Sequence, residues 1–177
     1  SAGHSNADYQ QGTRGFDKGI PAATHLFNAM SPLQGREPGL VGAIYDHPSA
    51  MASIICDGVH VDFSSVRISK KIMKERLFFI TDAVTEVKEG EYHHYYKGDR
   101  YTLENGTLSG SALNMMKGVR NAVQRAGIPL GEALRMSSTY PAKLLGGESK
   151  LGRIAAGYKA DLMVFNDQLE IVKMIVV

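Results

Sequence analysis

Short apolar runs recur along the first half of the chain, and each run ends in polar residues. The four runs span residues 1–5, 20–28, 51–62 and 76–84. Between them, residues 8–19 and 62–75 have the mixed polar and apolar spacing of amphipathic helices. Strands that alternate with helices are typical of parallel βα units, so this half of the chain predicts an α/β fold.

Segment 62–75 has a clear helical pattern. Val66, Ile72 and Met73 lie near one face of the projected helix, with Ile68 at the edge of that face and Lys and Arg around the rest. We therefore expect Val66, Ile72 and Met73 to be buried against the strands.

A β-rich excursion is predicted after the fourth apolar run, at about residues 86–108. Aromatic and threonine residues lie there between turn signals at Glu89–Gly90, 97–99 and Asn105–Gly106. Two helices are expected next, the first closed by Gly127 and the second opened near Pro129. They span residues 114–127 and 129–146.

These patterns predict two domains. Residues 1–147 hold the βα units, whereas residues 148–177 contain Gly-bounded strands without a helix signal and predict part of a small β-domain. The chain has no initial methionine, has almost no strand before His4, and stops within an apolar run. We therefore expect it to be part of a longer protein.

The composition is that of a globular protein, with 44% hydrophobic and 21% charged residues. A net charge of +2 predicts neither a nucleic-acid nor a membrane partner. No apolar run is long enough for a membrane span, and no signal peptide is recognisable. The single cysteine, Cys56, is expected to be a small buried side chain, and a cytoplasmic location is predicted.

Four residues with catalytic or ligand chemistry lie where strands are expected to end: His4, His25, His60 and Asp82. The carboxyl ends of parallel strands meet at one edge, so the side chains of His4 and His25 would converge there. Neutral imidazoles are natural ligands of zinc or another borderline divalent metal. A catalytic site needs a third protein ligand, which the sequence does not clearly supply. Core or solvent-facing histidines remain the alternative.

Asp82 follows a mostly apolar run. A carboxylate beside a metal site can take a proton from water and return it to a leaving group. A helix cap or a turn residue is the alternative for Asp82.

The loop after His25 offers donors for a phosphate. Asn28, the backbone at Ala29 and the guanidinium of Arg36 suit an anionic oxygen, although a solvated surface loop is the alternative. His60 is either a further substrate donor or a buried histidine with satisfied hydrogen bonds. The pair His93–His94 is predicted to be exposed and not to bind metal.

Several motifs together resemble one known family. In order, they are GHSNA, ATHLFNAM, GREPGLVGA, DGVHVD, TDA, NGTLSGSAL and GVRNAV. They closely resemble the N-acetylglucosamine-6-phosphate deacetylases of the amidohydrolase superfamily, over essentially the whole chain. The tail LGRIAAGYKADLMVF is similar to a closing β segment that many amidohydrolases share.

The resemblance implies a fold and an activity. The fold would be α/β, the second half of a TIM-type (β/α)8 barrel plus part of a small β-sandwich domain. The activity would be metal-dependent hydrolysis of N-acetylglucosamine 6-phosphate, a linear amide, to glucosamine 6-phosphate and acetate in amino-sugar catabolism. Another amidohydrolase, acting on a cyclic amide or a nucleobase, or a non-catalytic sugar-phosphate-binding protein are the alternatives.

The resemblance also assigns the reaction centre. His4 and His25 would bind a divalent metal, zinc or iron, and Asp82 would be the catalytic acid and base. The family's metal-binding glutamate and a substrate-binding histidine have no counterpart in this sequence. The isolated chain is therefore expected to be inactive and poorly stable.

The remaining implied roles concern the substrate. The backbone at Asn28 and Ala29, with Arg36, would hold the phosphate, and Arg36 would reach the site of the neighbouring subunit in a homodimer. His60 would contact the sugar. The pocket beside it would be lined by Leu108, Ser109 and Gly110.

Overall fold

The computed structural model describes residues 1–87, 89 and 93–176. Its central element is a three-stranded parallel sheet in the order β1–β2–β3. The strands are β1 (Ala22–Ala23), β2 (Met51–Ile55) and β3 (Leu77–Ile80). Parallel strands joined through helices confirm the predicted α/β class.

Two further segments extend the parallel arrangement on either side of this sheet. Ala2 forms a parallel bridge with Ala23 of β1, and Ala83, beyond β3, forms a parallel bridge with Ser111. The segments at Ala2 and Ser111 therefore run in the same direction as the three strands, and the carboxyl ends of all five share one edge.

Six α-helices lie in the described part of the chain. They are α1 (Tyr9–Asp17), α2 (Gly39–Asp46), α3 (Phe63–Met73), α4 (Met115–Gln124), α5 (Leu130–Ser137) and α6 (Thr139–Leu144). Side-chain caps begin three of them, from Asp8, Asp62 and Asn114. The apolar faces of the later helices pack against the sheet, so that Val119 and Met136 share a core with Ile54 and Leu77.

The sequence pattern does not predict helix α2, because this helix has no amphipathic period. Its first six residues are all buried, so apolar positions do not recur every three or four residues. Pro38 precedes the helix, where its missing N–H costs no helical hydrogen bond. Gly39 has φ +60°, and a Cβ there would lie 2.7 Å from the carbonyl oxygens of Ser31 and Pro32.

The predicted buried face of α3 is partly wrong. Val66 and Met73 are buried as expected, but Ile72 is 43% exposed and Ser69 takes its place. The hydroxyl of Ser69 donates to the Ser65 carbonyl within the helix. A satisfied small hydroxyl can therefore occupy a buried position that the apolar pattern assigns to Ile72.

The segment expected to be one helix over 129–146 forms two helices, α5 and α6. The break lies at Ser138, whose φ is −137°. Pro141 lies three residues later and has no N–H to bond the preceding turn, so a continuous helix would lose a hydrogen bond there.

Two antiparallel sheets account for the remaining strands. One contains β4 (Tyr95–Tyr96), β5 (Arg100–Thr102) and β6 (Leu108–Ser111), and the other pairs β7 (Leu162–Phe165) with β8 (Ile171–Ile175). The predicted turns at 97–99 and Asn105–Gly106 join β4 to β5 and β5 to β6. The turn predicted at Glu89–Gly90 includes Gly90, which lies outside the described residues, as do residues 88, 91, 92 and 177. The domain limits 1–147 and 148–177 stay predictions.

Among the described helices, none combines the length and the apolar composition that a membrane-spanning helix requires.

Candidate active site

His4 and His25 lie together at the carboxyl edge of the parallel sheet. Their ring centroids are 4.7 Å apart, with an interplanar angle of 67°. The His25 side chain is buried, whereas that of His4 is exposed. Ser53 of β2 fixes the chain here, because its hydroxyl accepts from His25 N at 2.9 Å and its carbonyl from Leu26 N at 2.8 Å.

The His25 ring has an unsatisfied nitrogen. Nδ1 is buried and has no hydrogen-bond partner in the described structure. Buried polar atoms are normally paired, and a bound ligand is one recognised reason for an exception. A second imidazole 4.7 Å away makes a divalent metal such as zinc or iron a chemically suitable ligand. Among the described residues, no group of three or more His, Cys, Asp or Glu completes such a site.

The backbone is strained at four of the predicted site residues. Positive φ angles occur at His4 (48°), His25 (33°), Ala29 (50°) and Asp82 (48°). Such conformations are uncommon for residues other than glycine, and they cluster at active sites and ligand clamps. The strain therefore supports a functional role for this edge of the sheet.

Asp82 lies two residues beyond β3, and its main chain is held by Ser111. Ser111 N donates to Asp82 O at 3.0 Å, and the Ser111 hydroxyl donates to the Thr81 carbonyl. The carboxylate itself is exposed. No described helix begins near Asp82, so the helix-cap alternative is wrong.

The loop after His25 closes on itself through Asn28. Asn28 N donates to the His25 carbonyl at 2.9 Å, and the Asn28 amide donates to the His25 and Leu26 carbonyls, both at 3.3 Å. No backbone hydrogen bond of the described chain uses the N–H of the exposed Ala29. Asn28 therefore shapes the loop, and Ala29 N–H is the backbone donor left for a ligand.

Arg36 lies in an exposed bend between Gln34 and Glu37, whose backbones exchange hydrogen bonds of 3.0 and 3.3 Å. Within the described chain, Arg36 forms no salt bridge or side-chain hydrogen bond. Its guanidinium therefore remains able to bind an anion outside this chain.

His60 is paired with Asp57. His60 Nδ1 lies 2.6 Å from Asp57 Oδ2, and the two side chains are only 7% and 4% exposed. Burial alone raises the pKa of Asp57, but hydrogen bonds from the His60 ring and from the backbone N–H groups of Val59 and His60 outweigh it. The pKa of Asp57 therefore lies below its usual value.

Asp57 is a residue that the sequence interpretation missed. The spacing in DGVHVD, an aspartate three residues before a histidine across a glycine, was the available signal. The prediction that Cys56 is a small buried side chain is confirmed, because this residue is fully buried. Its pKa is raised to about 12, first by burial and then by the charge of Asp57.

The segment 108–110 lies on β6. The Ser109 hydroxyl hydrogen-bonds to His94 Nδ1 at 2.9 Å. A Cβ at Gly110 would lie 2.7 Å from the Val84 side chain, so only glycine fits there without movement. His93 and His94 are half-buried, so the prediction that they are exposed is wrong; the hydrogen bond to Ser109 holds His94 against β6.

A cavity of about 510 Å³ lies elsewhere, between α4, the α5–α6 region and the carboxyl-terminal segment. Met116, Leu134, Ile154 and Phe165 are among its lining residues, and none of the predicted site residues lines it. Its wall is mainly apolar, although Arg135, Arg153 and Asp161 also line it.

The sequence of this chain is similar to those of known sugar-phosphate deacetylases. The chain is 40% identical to N-acetylglucosamine-6-phosphate deacetylase of Haemophilus influenzae, over 99% of this chain and 49% of that protein. It is 32% identical to N-acetylgalactosamine-6-phosphate deacetylase of Escherichia coli O157:H7, over 96% of this chain and 47% of that protein. The chain thus spans about half the length of the curated relatives that it matches.

The fold is also similar to a solved structure. The crystal structure of N-acetylglucosamine-6-phosphate deacetylase from Pasteurella multocida superposes with a TM-score of 0.93 at 40% identity, covering 98% of this chain and 48% of that chain. Residues 1–176 match the amidohydrolase family. The chain therefore belongs to the amidohydrolase family.

Proposed function

We propose that the full-length protein to which this chain belongs, hereafter the protein, hydrolyses N-acetylglucosamine 6-phosphate to glucosamine 6-phosphate and acetate. The observation that carries this proposal is the pair of imidazole rings of His4 and His25, whose centroids are 4.7 Å apart. Nδ1 of His25 is buried and has no partner among the described residues. Asp82 follows another strand of the same parallel sheet. The similarity to named deacetylases of this sugar phosphate supports the choice of substrate.

His4 and His25 would hold the metal, and zinc or iron suits two imidazoles. A bound divalent metal would supply Lewis-acid polarisation of the amide carbonyl and make a nearby water more acidic. The hydrogen bond to the Ser53 hydroxyl holds the backbone of His25 at this edge of the sheet. A further ligand would come from outside the described residues of this chain.

Asp82 would carry the proton. Its carboxylate accepts a proton from the attacking water and later delivers that proton to the departing amine, so that one amide and one water give one amine and one acetate. The Ser111 contacts fix the Asp82 backbone, while the exposed carboxylate keeps access to the substrate.

The phosphate would be bound by the loop backbone at Asn28 and Ala29, where no described backbone hydrogen bond uses the Ala29 N–H, and by Arg36. Arg36 is exposed and forms no salt bridge within the described residues, which favours its reaching the site of a neighbouring subunit in a homodimer. Binding at the phosphate would fix the distant acetamide for attack. His60 would contact the sugar beside Leu108, Ser109 and Gly110.

We also propose that the parallel segments belong to the second half of a (β/α)8 barrel, within residues 1–147. Residues 148–177 would be part of a small β-sandwich domain. In such barrels the active site lies at the carboxyl ends of the strands, where His4, His25 and Asp82 are found. A cytoplasmic location stays a prediction.

The test is a substrate comparison. Free amine would be measured with N-acetylglucosamine 6-phosphate, N-acetylgalactosamine 6-phosphate and unphosphorylated N-acetylglucosamine, before and after chelation of the metal. We expect the first sugar to be the best substrate, with activity lost on chelation and restored by zinc or iron. A clear preference for the galacto epimer would reassign the sugar to the one named for the Escherichia coli relative.

Turnover of cyclic amides and nucleobases, together with binding of the sugar phosphate, distinguishes deacetylation from the two competing functions. Hydrolysis of a cyclic amide or deamination of a nucleobase in preference to all three sugars would indicate a different amidohydrolase. Tight binding of the sugar phosphate without any turnover would indicate a non-catalytic binding protein.

A further inference from the structure

Asp57 and His60 form a buried pair in the turn between β2 and α3. The two oxygens of the Asp57 carboxylate have different partners. Oδ1 accepts from the backbone N–H groups of Val59 and His60, at 2.9 and 2.8 Å. Oδ2 faces His60 Nδ1 at 2.6 Å. The carboxylate is thus held by the turn on one side and holds the imidazole on the other.

This arrangement determines where the imidazole carries its proton. An ionised carboxylate has only acceptor atoms, so His60 Nδ1 must donate across the 2.6 Å contact. Although burial opposes them, the hydrogen bonds from the His60 ring and the turn backbone favour the ionised carboxylate and lower the pKa of Asp57. Nε2 is the remaining ring nitrogen, and no hydrogen bond to it occurs within the described residues.

We propose that Asp57 is a positioning residue that fixes the Nδ1–H tautomer and the ring orientation of His60, so that Nε2 meets the substrate. This inference rests on the proposed function, in which His60 contacts the sugar phosphate. A ring already held in place loses little conformational freedom when the substrate binds. Loss of the carboxylate would weaken substrate binding more than the chemical step, because Asp57 does not touch the reacting atoms.

The pattern of hydrogen bonds makes Asp57→Asn a sharp probe. Two N–H donors point at the Oδ1 position, so the asparagine oxygen must occupy it. The asparagine NH₂ group then takes the Oδ2 position and donates to His60 Nδ1. The backbone turn is preserved, but the proton of neutral His60 moves to Nε2. Asp57→Ala, in contrast, removes both the hydrogen bonds to the turn backbone and the contact with His60.

The first measurement is spectroscopic and needs no turnover. In the protein labelled with ¹⁵N-histidine, a His60→Gln variant identifies the His60 signals. We expect a protonated Nδ1 in the unsubstituted protein and, for the neutral ring, a protonated Nε2 in Asp57→Asn. A neutral His60 with its proton on Nε2 in the unsubstituted protein would overturn the proposal.

The second measurement is kinetic. We expect Asp57→Asn to raise KM for the sugar phosphate by roughly 10- to 100-fold, by analogy with the loss of groups that orient metal-bound histidines. The kcat should change by less than about threefold, because the reacting groups are intact. Asp62→Asn is the matched control: Asp62 caps α3 in the same segment, and asparagine is an equally good cap. Its KM should be unchanged.

The outcomes separate this inference from the proposed function. If the unsubstituted full-length protein hydrolyses no acetylated sugar phosphate, the proposed function fails, while the ¹⁵N spectra still decide the tautomer. If the protein is active and Asp57→Asn has an unchanged KM, the positioning role is wrong and the function stands. Equal loss of kcat in Asp57→Asn and Asp62→Asn would indicate a merely structural role for the turn, and would also overturn the proposal.

Discussion

Several residues at the carboxyl edge of the sheet are in unfavourable states that cost stability. Nδ1 of His25 is buried without a partner in the described structure, and the backbone is left-handed at His4, His25 and Asp82. Each strained residue costs on the order of 1–3 kcal/mol and persists only where its surroundings determine it. Their concentration at one edge of the sheet is best explained by function, since a fold under selection for stability alone has no use for them.

We predict that metal binding depends on His4 and His25. The His4→Ala/His25→Ala double variant should lose most of the bound metal found in the unsubstituted protein, because both imidazole ligands are gone. Metal content would be measured by elemental analysis after dialysis. His47→Ala is the matched control, since His47 instead accepts from the Ala50 backbone at 3.0 Å. Equal metal content in the double variant and the control would contradict the assignment.

The sequence was informative about residue types at strand ends and uninformative about their partners. His25 and Asp82 could be located because apolar runs end just before them. The Asp57–His60 pair depends on the path of one tight turn, which hydropathy does not encode. The same holds for Ser53, a polar residue inside a buried strand, whose hydroxyl is explained only by the neighbouring backbone of His25.

At the scale of elements, Arg76 ties β3 to the preceding βα unit. Its guanidinium donates to the carbonyls of Ile44 (3.1 Å), Tyr45 (3.0 Å) and Ala50 (2.7 Å), around the end of α2. Burial lowers the pKa of Arg76, and no carboxylate pairs with it in the described structure. Three carbonyls without helical partners are therefore satisfied by one side chain.

We predict that Arg76→Ala lowers the free energy of unfolding by about 2–4 kcal/mol, because charge-assisted hydrogen bonds are lost and carbonyls are left unpaired. Urea unfolding followed by circular dichroism would measure this. The exposed Arg67 on α3 provides the control, and Arg67→Ala should change stability by less than about 0.5 kcal/mol. Equal stability of the two variants would rule out a role for these hydrogen bonds.

A charged cluster joins α3, α5 and α6. Oε2 of Glu132 lies 2.6 Å from Nζ of Lys70 and accepts a hydrogen bond of 2.9 Å from the Tyr140 hydroxyl. The Glu132 carboxylate also forms a salt bridge with Arg135. The hydrogen bond from Lys70 is the main cause that lowers the pKa of Glu132 to about 2, against a partial burial that raises it. A lowered carboxyl pKa stabilises the fold above the ordinary value near 4.5, and this stabilisation is lost as pH falls toward about 2.

The acid sensitivity of the fold should therefore depend on Glu132. We expect Glu132→Gln to lower the free energy of unfolding at pH 7 by about 1 kcal/mol, a small value because water screens the partly exposed pair. The difference between the two proteins should shrink between pH 4.5 and pH 2. A difference that stays constant over this pH range would contradict the assignment.

Elements with amphipathic periods could be predicted, and those without them could not. Helices α1 and α3 have capping aspartates and a polar face, so their positions followed from sequence. Helix α2 is buried along most of its length, and the division between α5 and α6 depends on one backbone conformation at Ser138. Neither feature leaves a periodic signal in the sequence.

At the scale of the whole molecule, the proposed homodimer predicts that subunits complement each other. Arg36→Ala and Asp82→Asn homodimers should each be poorly active on the sugar phosphate. If Arg36 acts on the neighbouring site, mixed dimers contain one site with both residues intact. Random exchange of subunits between equal amounts of the two variants should then restore about a quarter of the unsubstituted activity. Half of the dimers would be mixed, and one of the two sites in each mixed dimer would be intact.

No recovery after exchange, with mixed dimers verified by mass spectrometry of tagged subunits, would place Arg36 in its own subunit or outside the site. Arg67→Ala mixed with Asp82→Asn is the control. The activity of this mixture should be proportional to the fraction of subunits that retain Asp82.

The central claim is that Asp82 transfers the proton in a metal-dependent amide hydrolysis, and kcat of Asp82→Asn tests it most directly. Asparagine keeps the shape of the side chain but cannot accept a proton, so kcat should fall by about 10²–10⁴-fold with metal content and substrate affinity nearly unchanged. Asp167→Asn, an exposed aspartate between β7 and β8, should retain full kcat. An Asp82→Asn variant with full metal content and more than about a tenth of the unsubstituted kcat would contradict the account.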